Sequence, residues 1–164
     1  MALPQFPPDP EPTEAELEPF LEAVGPCRDE TVRHGLAILR WRIQKSQEDP
    51  DLFAVPFAGE IRDFAGFADY ESYLQSPLWR RIRKEVLLAS KGKCVGCDNR
   101  ASEVHHRDYR PRVLAGKDLA ALVPVCKSCH DKIEGARKGE HWGAGERVLY
   151  DLVAEKERAR LISD

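Results

Sequence analysis

Two short cysteine pairs limit what this chain can become more than anything else in it. Cys94-Val-Gly-Cys97 and Cys126-Lys-Ser-Cys129 each set two thiols one tight turn apart. Two residues between ligands let both sulfurs point at a single ion, with Zn–S near roughly 2.3 Å. Gly96 relaxes the backbone inside the first turn. One such pair alone could be a redox dithiol, but two together point to a tetrahedral zinc site. Iron–sulfur ligation uses the same residue type, but nothing else in the chain suggests electron transfer. The 28 residues between the pairs exceed a simple zinc-ribbon spacing, so something must fold between the turns. Of the five cysteines, Cys27 is left over, and its expected fate is a small buried apolar residue.

A chain of 164 residues suits one compact domain, or a small domain with a minimal companion. No apolar run approaches the roughly 18 residues needed to span a membrane. The start, MALPQFPPDP, lacks the basic residues and apolar stretch of a signal peptide. Cysteines spaced for metal rather than disulfides fit the same picture, so the sequence reads as soluble, unexported and cytoplasmic.

The net charge of −3 hides an asymmetry. Residues 1–75 carry 6 basic and 15 acidic side chains, residues 76–138 carry 15 and 7, and residues 139–164 carry 4 and 6. The middle segment is therefore net +8 and contains all four paired cysteines. Such a segment suits a polyanion, because phosphate contacts dominate nucleic-acid affinity.

The expected fold class is mainly α with a small β hairpin. Residues 1–12 contain five prolines and read as an extended, mobile tail. Residues 13–75 form an acidic helical region. Thr13 and Glu16 make a capping box for a short helix that Pro19 could split and Gly25-Pro26 stops. A second helix is expected from Asp29 to about Lys45, with Val32, Leu36, Leu39 and Ile43 at helical spacing. Residues 46–58 read as a loop and about 60–74 as another helix, carrying Ile61, Phe64, Phe67, Tyr70 and Tyr73. Ser76-Pro77 is a clear helix start. The helix behind it presents Leu78, Ile82, Val86 and Ala89 on one side and ends at Gly92. Trp79 reads as a core anchor. Residues 139–164 hold a C-terminal helix, amphipathic from Glu146 to Ile162 with Val148, Leu149, Leu152 and Val153 inward.

Between the cysteine pairs lies Glu103-Val-His105-His106-Arg107-Asp108-Tyr109, and His130 follows the last cysteine directly. Adjacent histidines on an extended segment face opposite ways, so one could meet a metal while its neighbour reaches substrate. Four cysteines already complete a structural zinc site, which leaves these histidines for other work. His34 and His141 read as structural or exposed.

The stretch YLQSPLWRRIRKEVLLASKGKCVGC…EVHHRDYRP…DLAALVPVCKSCHDKIEG resembles an HNH endonuclease of the four-cysteine type. The match covers residues 73 to about 135, under half the chain, and its most specific pieces are VHHxxY and LVPVCxxCH. The resemblance implies a ββα-metal finger within a module at 76–138. Its strands would fall around 103–107 and 122–125, and its helix would start at about 127. It further implies an enzyme, a DNA phosphodiesterase with a structural Zn²⁺ and a catalytic Mg²⁺ or other divalent ion. His106 falls on the general base, which takes a proton from the attacking water. His105 and His130 fall on ligands of the catalytic ion. Arg107, Arg110 and Arg112 flank the histidines, Lys127, Lys132, Arg137 and Lys138 lie on the final helix, and Arg83 sits on the helix before the first cysteine turn. Of these, Arg83, Arg107, Arg110, Arg112, Lys127 and Lys132 are the expected DNA contacts.

One position departs from the family pattern. The polar middle residue that orients the base stands five residues before the third cysteine, and here it is Ala121, with Asp118 three residues earlier. This departure keeps open an alternative, a non-catalytic four-cysteine zinc module that binds nucleic acid or protein.

Overall fold

The structure, a computed structural model, describes residues 9–49, 52–53, 66–137 and 142–163. It is mainly helical with a two-stranded antiparallel hairpin. The chain falls into two compact units that interleave in sequence: 1–8, 54–95 and 99–127 in one, and 9–53, 96–98 and 128–164 in the other. Among the described residues, no helix is long and apolar enough to cross a membrane.

The unit holding the hairpin begins its described part with α3 (Tyr70–Gln75) and α4 (Pro77–Ala89). The 60–74 helix expected from sequence is shorter where it is described. Residues 66–69 are not helical, and Asp69 caps α3 by accepting the Ser72 amide at 2.7 Å. Ile61 and Phe64 lie outside the described residues. The α4 start follows the sequence reading. Ser76 accepts the Trp79 amide at 3.1 Å and Pro77 occupies the first turn, where its missing N–H costs nothing.

The buried face of α4 is Trp79, Ile82 and Val86, whereas Leu78 is half-buried and Ala89 exposed. The helix is thus rotated from the expected Leu78–Ala89 stripe. The large Trp79 ring takes the deep position, and a terminal alanine has little area to bury.

β1 (Glu103–His106) and β2 (Leu122–Val125) pair in the register Glu103↔Val125 to His106↔Leu122. The Arg107 amide carries the ladder one step further, to the Ala121 carbonyl at 2.9 Å. The connection contains α5 (Pro111–Leu114), which the sequence reading did not anticipate. Pro111 opens it and holds Arg110 extended at ψ 151°. Gly116 ends it at φ 72°, and a Cβ there would come within 2.7 Å of Ile82 Cγ1. Only glycine allows both that backbone and that approach. Tyr73, Trp79, Ile82, Val86, Val104, Tyr109, Val113, Leu114 and Leu122 form the core of this unit.

The other unit is helical. α1 (Glu14–Val24) carries the full Thr13–Glu16 capping box and runs unbroken through Pro19, so proline does not split it. α2 (Glu30–Glu48) is capped by Asp29 and continues one turn beyond Lys45. Leu17, Ala37, Trp41 and Phe53 make the α1–α2 core, with Trp41 and Phe53 edge-to-face at 6.0 Å. Asp9 is ion-paired to Arg42 at 2.8 Å, so the proline-rich segment is already tethered there; residues 1–8 lie outside the described residues. α6 (Lys127–Arg137) starts where the sequence placed it. α7 (Trp142–Ile162) starts four residues before Glu146 and packs on α2. Of its expected inward residues only Leu149 is fully buried; Val148, Leu152 and Val153 are half-buried.

Candidate metal centres

The first cysteine turn is a knuckle closed by local hydrogen bonds. The Cys94 amide donates to the Asn99 carbonyl and the Val95 amide to the Pro124 carbonyl, each at 2.9 Å. Lys93 and Arg100 bridge across its base. The second turn lies where β2 runs into α6. Cys126 precedes the helix and Cys129 sits on its first turn, where unpaired amides and the helix dipole favour a thiolate.

All four cysteines are free of disulfides, and their sulfurs lie within 4.8 Å of one another. The Cys97 and Cys129 sulfurs are 3.6 Å apart. That is far beyond a disulfide bond of about 2.0 Å. It is close to the edge of a tetrahedron with metal–sulfur distances of about 2.3 Å. Space around the ligands is used fully: a Cβ on Gly96 would stand 3.1 Å from Leu152 Cβ and 3.2 Å from Cys129 Sγ. The donor set and its spacing fit a structural zinc ion.

A second group forms from β1 and α6. His105, His130 and Glu134 each offer one ligand atom, all within 4.8 Å of one another. His105 is 2% exposed, and His130 and Glu134 are half-buried. His130 and Glu134 are four apart, so they share one face of α6; their nearest side-chain atoms are 4.0 Å apart. Arg137 holds the Glu134 carboxylate from the next turn at 3.1 Å. Glu134 was not anticipated, although His130-Asp-Lys-Ile-Glu134 carries the i, i+4 spacing that would have found it.

His106 is enclosed elsewhere. It is 3% exposed, and its ring lies between Trp79 (centroids 4.5 Å, 29°) and Tyr109 (5.4 Å, 12°). Its Nδ1 is 3.0 Å from the Tyr70 hydroxyl, and Tyr73 packs edge-on at 5.9 Å. Burial pushes the Tyr73 hydroxyl well above its ordinary pKa, and no hydrogen-bond partner for it exists among the described residues. The structure therefore brings His105 and His130 together with Glu134, and sets His106 among aromatic rings. Ala121 is half-buried, and its carbonyl receives the Arg107 amide.

The expected DNA contacts are placed unevenly. Arg110 is tied to Asp108 through its backbone amide at 2.7 Å and its guanidinium, and both side chains are nearly buried. Arg83 donates to the Ser102 carbonyl at 2.5 Å. Arg112 is 66% exposed beside Asp118, and Lys127 and Lys132 are exposed. Arg107 is half-buried. Lys138 lies outside the described residues. Lys84, Lys91 and Arg100 join Arg83 along an open groove floored by Leu87, a grouping that needs the fold to be seen. Cys27 is half-buried rather than buried; desolvation, then Glu157, push its thiol upward.

No family model, curated protein or solved structure matches this chain.

Proposed function

We propose that this chain is a metal-dependent endonuclease of the HNH type, hydrolysing phosphodiester bonds in DNA. The observation that carries the reading is the meeting of His105, His130 and Glu134 next in sequence to a four-cysteine centre. A structural zinc site needs no further ligands, and a three-ligand site leaves coordination positions for water and substrate. Two imidazoles and one carboxylate suit a divalent first-row transition ion better than Mg²⁺, which prefers oxygen donors. A divalent ion bound there supplies Lewis-acid stabilisation of charge on the phosphate and the leaving oxygen.

The chain's own residues would do the rest. His106 takes a proton from the water whose oxygen attacks phosphorus, while the bond from phosphorus to the sugar oxygen breaks. Its sandwiched ring holds one orientation, and a fixed base contributes about 10²–10⁴-fold in rate. Exposed Arg112, Lys127 and Lys132 offer charge to flanking phosphates.

A second reading is favoured by one observation. His106 is enclosed by Trp79, Tyr109, Tyr70 and Tyr73 as a core residue would be, and Ala121 brings no polar side chain to it. On that reading the module binds nucleic acid or protein without chemistry. Plasmid nicking with Mg²⁺, Mn²⁺ or Ni²⁺ separates the two. The nuclease reading expects wild type to nick and His106→Ala to lose at least about 100-fold in rate. Wild-type protein inert across metals, or a His106→Ala protein as active as wild type, selects the binding module.

A further inference from the structure

We propose that Tyr70 is a positioning residue for His106: its hydroxyl oxygen accepts the Nδ1 proton and leaves Nε2 to receive one. This rests on the nuclease reading above and adds to it a residue outside the stretch that resembles the family.

The contact itself is a hydrogen bond of 3.0 Å between Tyr70 Oη and His106 Nδ1, spanning 36 positions of chain. Such a bond has two possible directions. If the phenol donates, the imidazole proton sits on Nε2 and that atom has no lone pair for water. If the phenol accepts, the proton sits on Nδ1 and Nε2 is the base. The hydrogen bond made by one ring nitrogen thus decides what the other can do.

Once Nε2 has taken a proton, both ring nitrogens are donors. Tyr70 Oη is then an acceptor, and the bond is charge-assisted and stronger. It therefore favours the product of proton transfer over the resting ring, which is what a contributor to rate must do.

The surroundings hold both partners still. Trp79 and Tyr109 cover the two faces of His106, so the ring cannot flip without displacing them. Tyr70 stacks on Tyr73 at 6.0 Å and meets Tyr109 edge-on at 5.6 Å. It is the first residue of α3, whose start is fixed by the Asp69 cap. The helix before the zinc module thus acquires a function: it delivers a hydroxyl to the buried edge of the histidine.

The test uses full-length zinc-loaded protein and two readouts. Ring ¹⁵N spectra of wild type at pH 8 are expected to show the His106 proton on Nδ1. In Tyr70→Phe, which keeps the stacked ring, that preference is expected to be lost. In the nicking assay Tyr70→Phe is expected to lower kcat about 10- to 100-fold, with KM little changed, as for the loss of one charge-assisted hydrogen bond. An Nδ1 without its proton in folded wild type overturns the proposal even if Tyr70→Phe does not fold. So does an active nuclease whose tautomer and kcat ignore the substitution. Wild type that nicks nothing, yet holds a tautomer that follows Tyr70, overturns the nuclease reading and leaves the orienting contact standing.

Discussion

The cysteine centre and the histidine group use neighbouring residues of the same chain for opposite ends. Cys94, Cys97, Cys126 and Cys129 are four identical soft donors that close a tetrahedron. His105, His130 and Glu134 are a mixed set of three that leaves a coordination sphere open. A closed sphere spends the ion's affinity on holding the fold, whereas an open one leaves sites for ligands that come and go. Residues 126–130 serve both: the turn that places Cys129 on the first turn of α6 also presents His130 one position later. The difference teaches that stability and chemistry should be separable by substitution, with the cysteines carrying the first and the histidine group the second.

The largest effect should come from breaking the closed sphere. Cys129→Ser, or prolonged exposure to a strong chelator, is expected to unfold residues 76–137. Structural zinc sites commonly contribute about 10–16 kcal/mol of apparent binding energy, which is folding energy in a module this small. Thermal melting followed by circular dichroism checks this, with zinc content measured on the same samples. A melting curve indifferent to chelator would remove the cysteine centre from the account.

Glu134→Gln should do the reverse. Its carboxylate lies half-buried at the edge of α6, so the fold should keep its melting temperature within a few degrees. Affinity for Mn²⁺ or Ni²⁺ at the second site should fall at least about tenfold, as read by isothermal titration of zinc-loaded protein. Removal of the Arg137 partner contact is an added consequence, and Arg137→Gln provides the control. If Glu134→Gln binds the added metal as wild type does, the open-sphere assignment is wrong.

Legibility followed the range of the interactions. The Thr13 capping box, the Ser76-Pro77 start and the CxxC turns are complete within four residues, and each stands where the local pattern puts it. The α4 face did not, because which residue goes deepest depends on the partner surface, and Trp79 outcompeted Leu78. α5 was missed for a related reason: one turn after Pro111 has no periodicity to detect and is held by Gly116 packing on Ile82. The candidate site divides in the same way. His105 and His130 could be singled out by their place beside the cysteines. Tyr70 could not, because its contact with His106 crosses 36 residues and reads locally as one more aromatic in an amphipathic stretch. Glu134 was legible in principle, since a histidine and a glutamate four apart on a helix share a face.

The smallest effect serves to calibrate acid experiments on both centres, because lowering pH protonates thiolates and imidazoles and releases metal whatever else it does. Glu16, on the metal-free α1, offers the background. The hydrogen bonds it receives from the Thr13 amide and hydroxyl hold its carboxyl below the usual value, with opposition from slight burial and help from Lys45. A carboxyl whose folded pKa is depressed contributes stability that is fully present above its unfolded pKa and is lost as pH falls through the folded one. Glu16→Gln should therefore melt slightly below wild type at neutral pH, and the gap should close as pH drops through the acidic carboxylate range. Because the side chain is exposed, added salt should shrink the gap further. If the cysteine centre dominates acid unfolding, the main loss of stability should begin at higher pH than the closing of this gap and should move with zinc concentration. The Glu16 gap should not respond to zinc. A gap that tracks zinc would mean that α1 and the cysteine centre unfold as one cooperative unit, and the separation drawn between the regions would then fail.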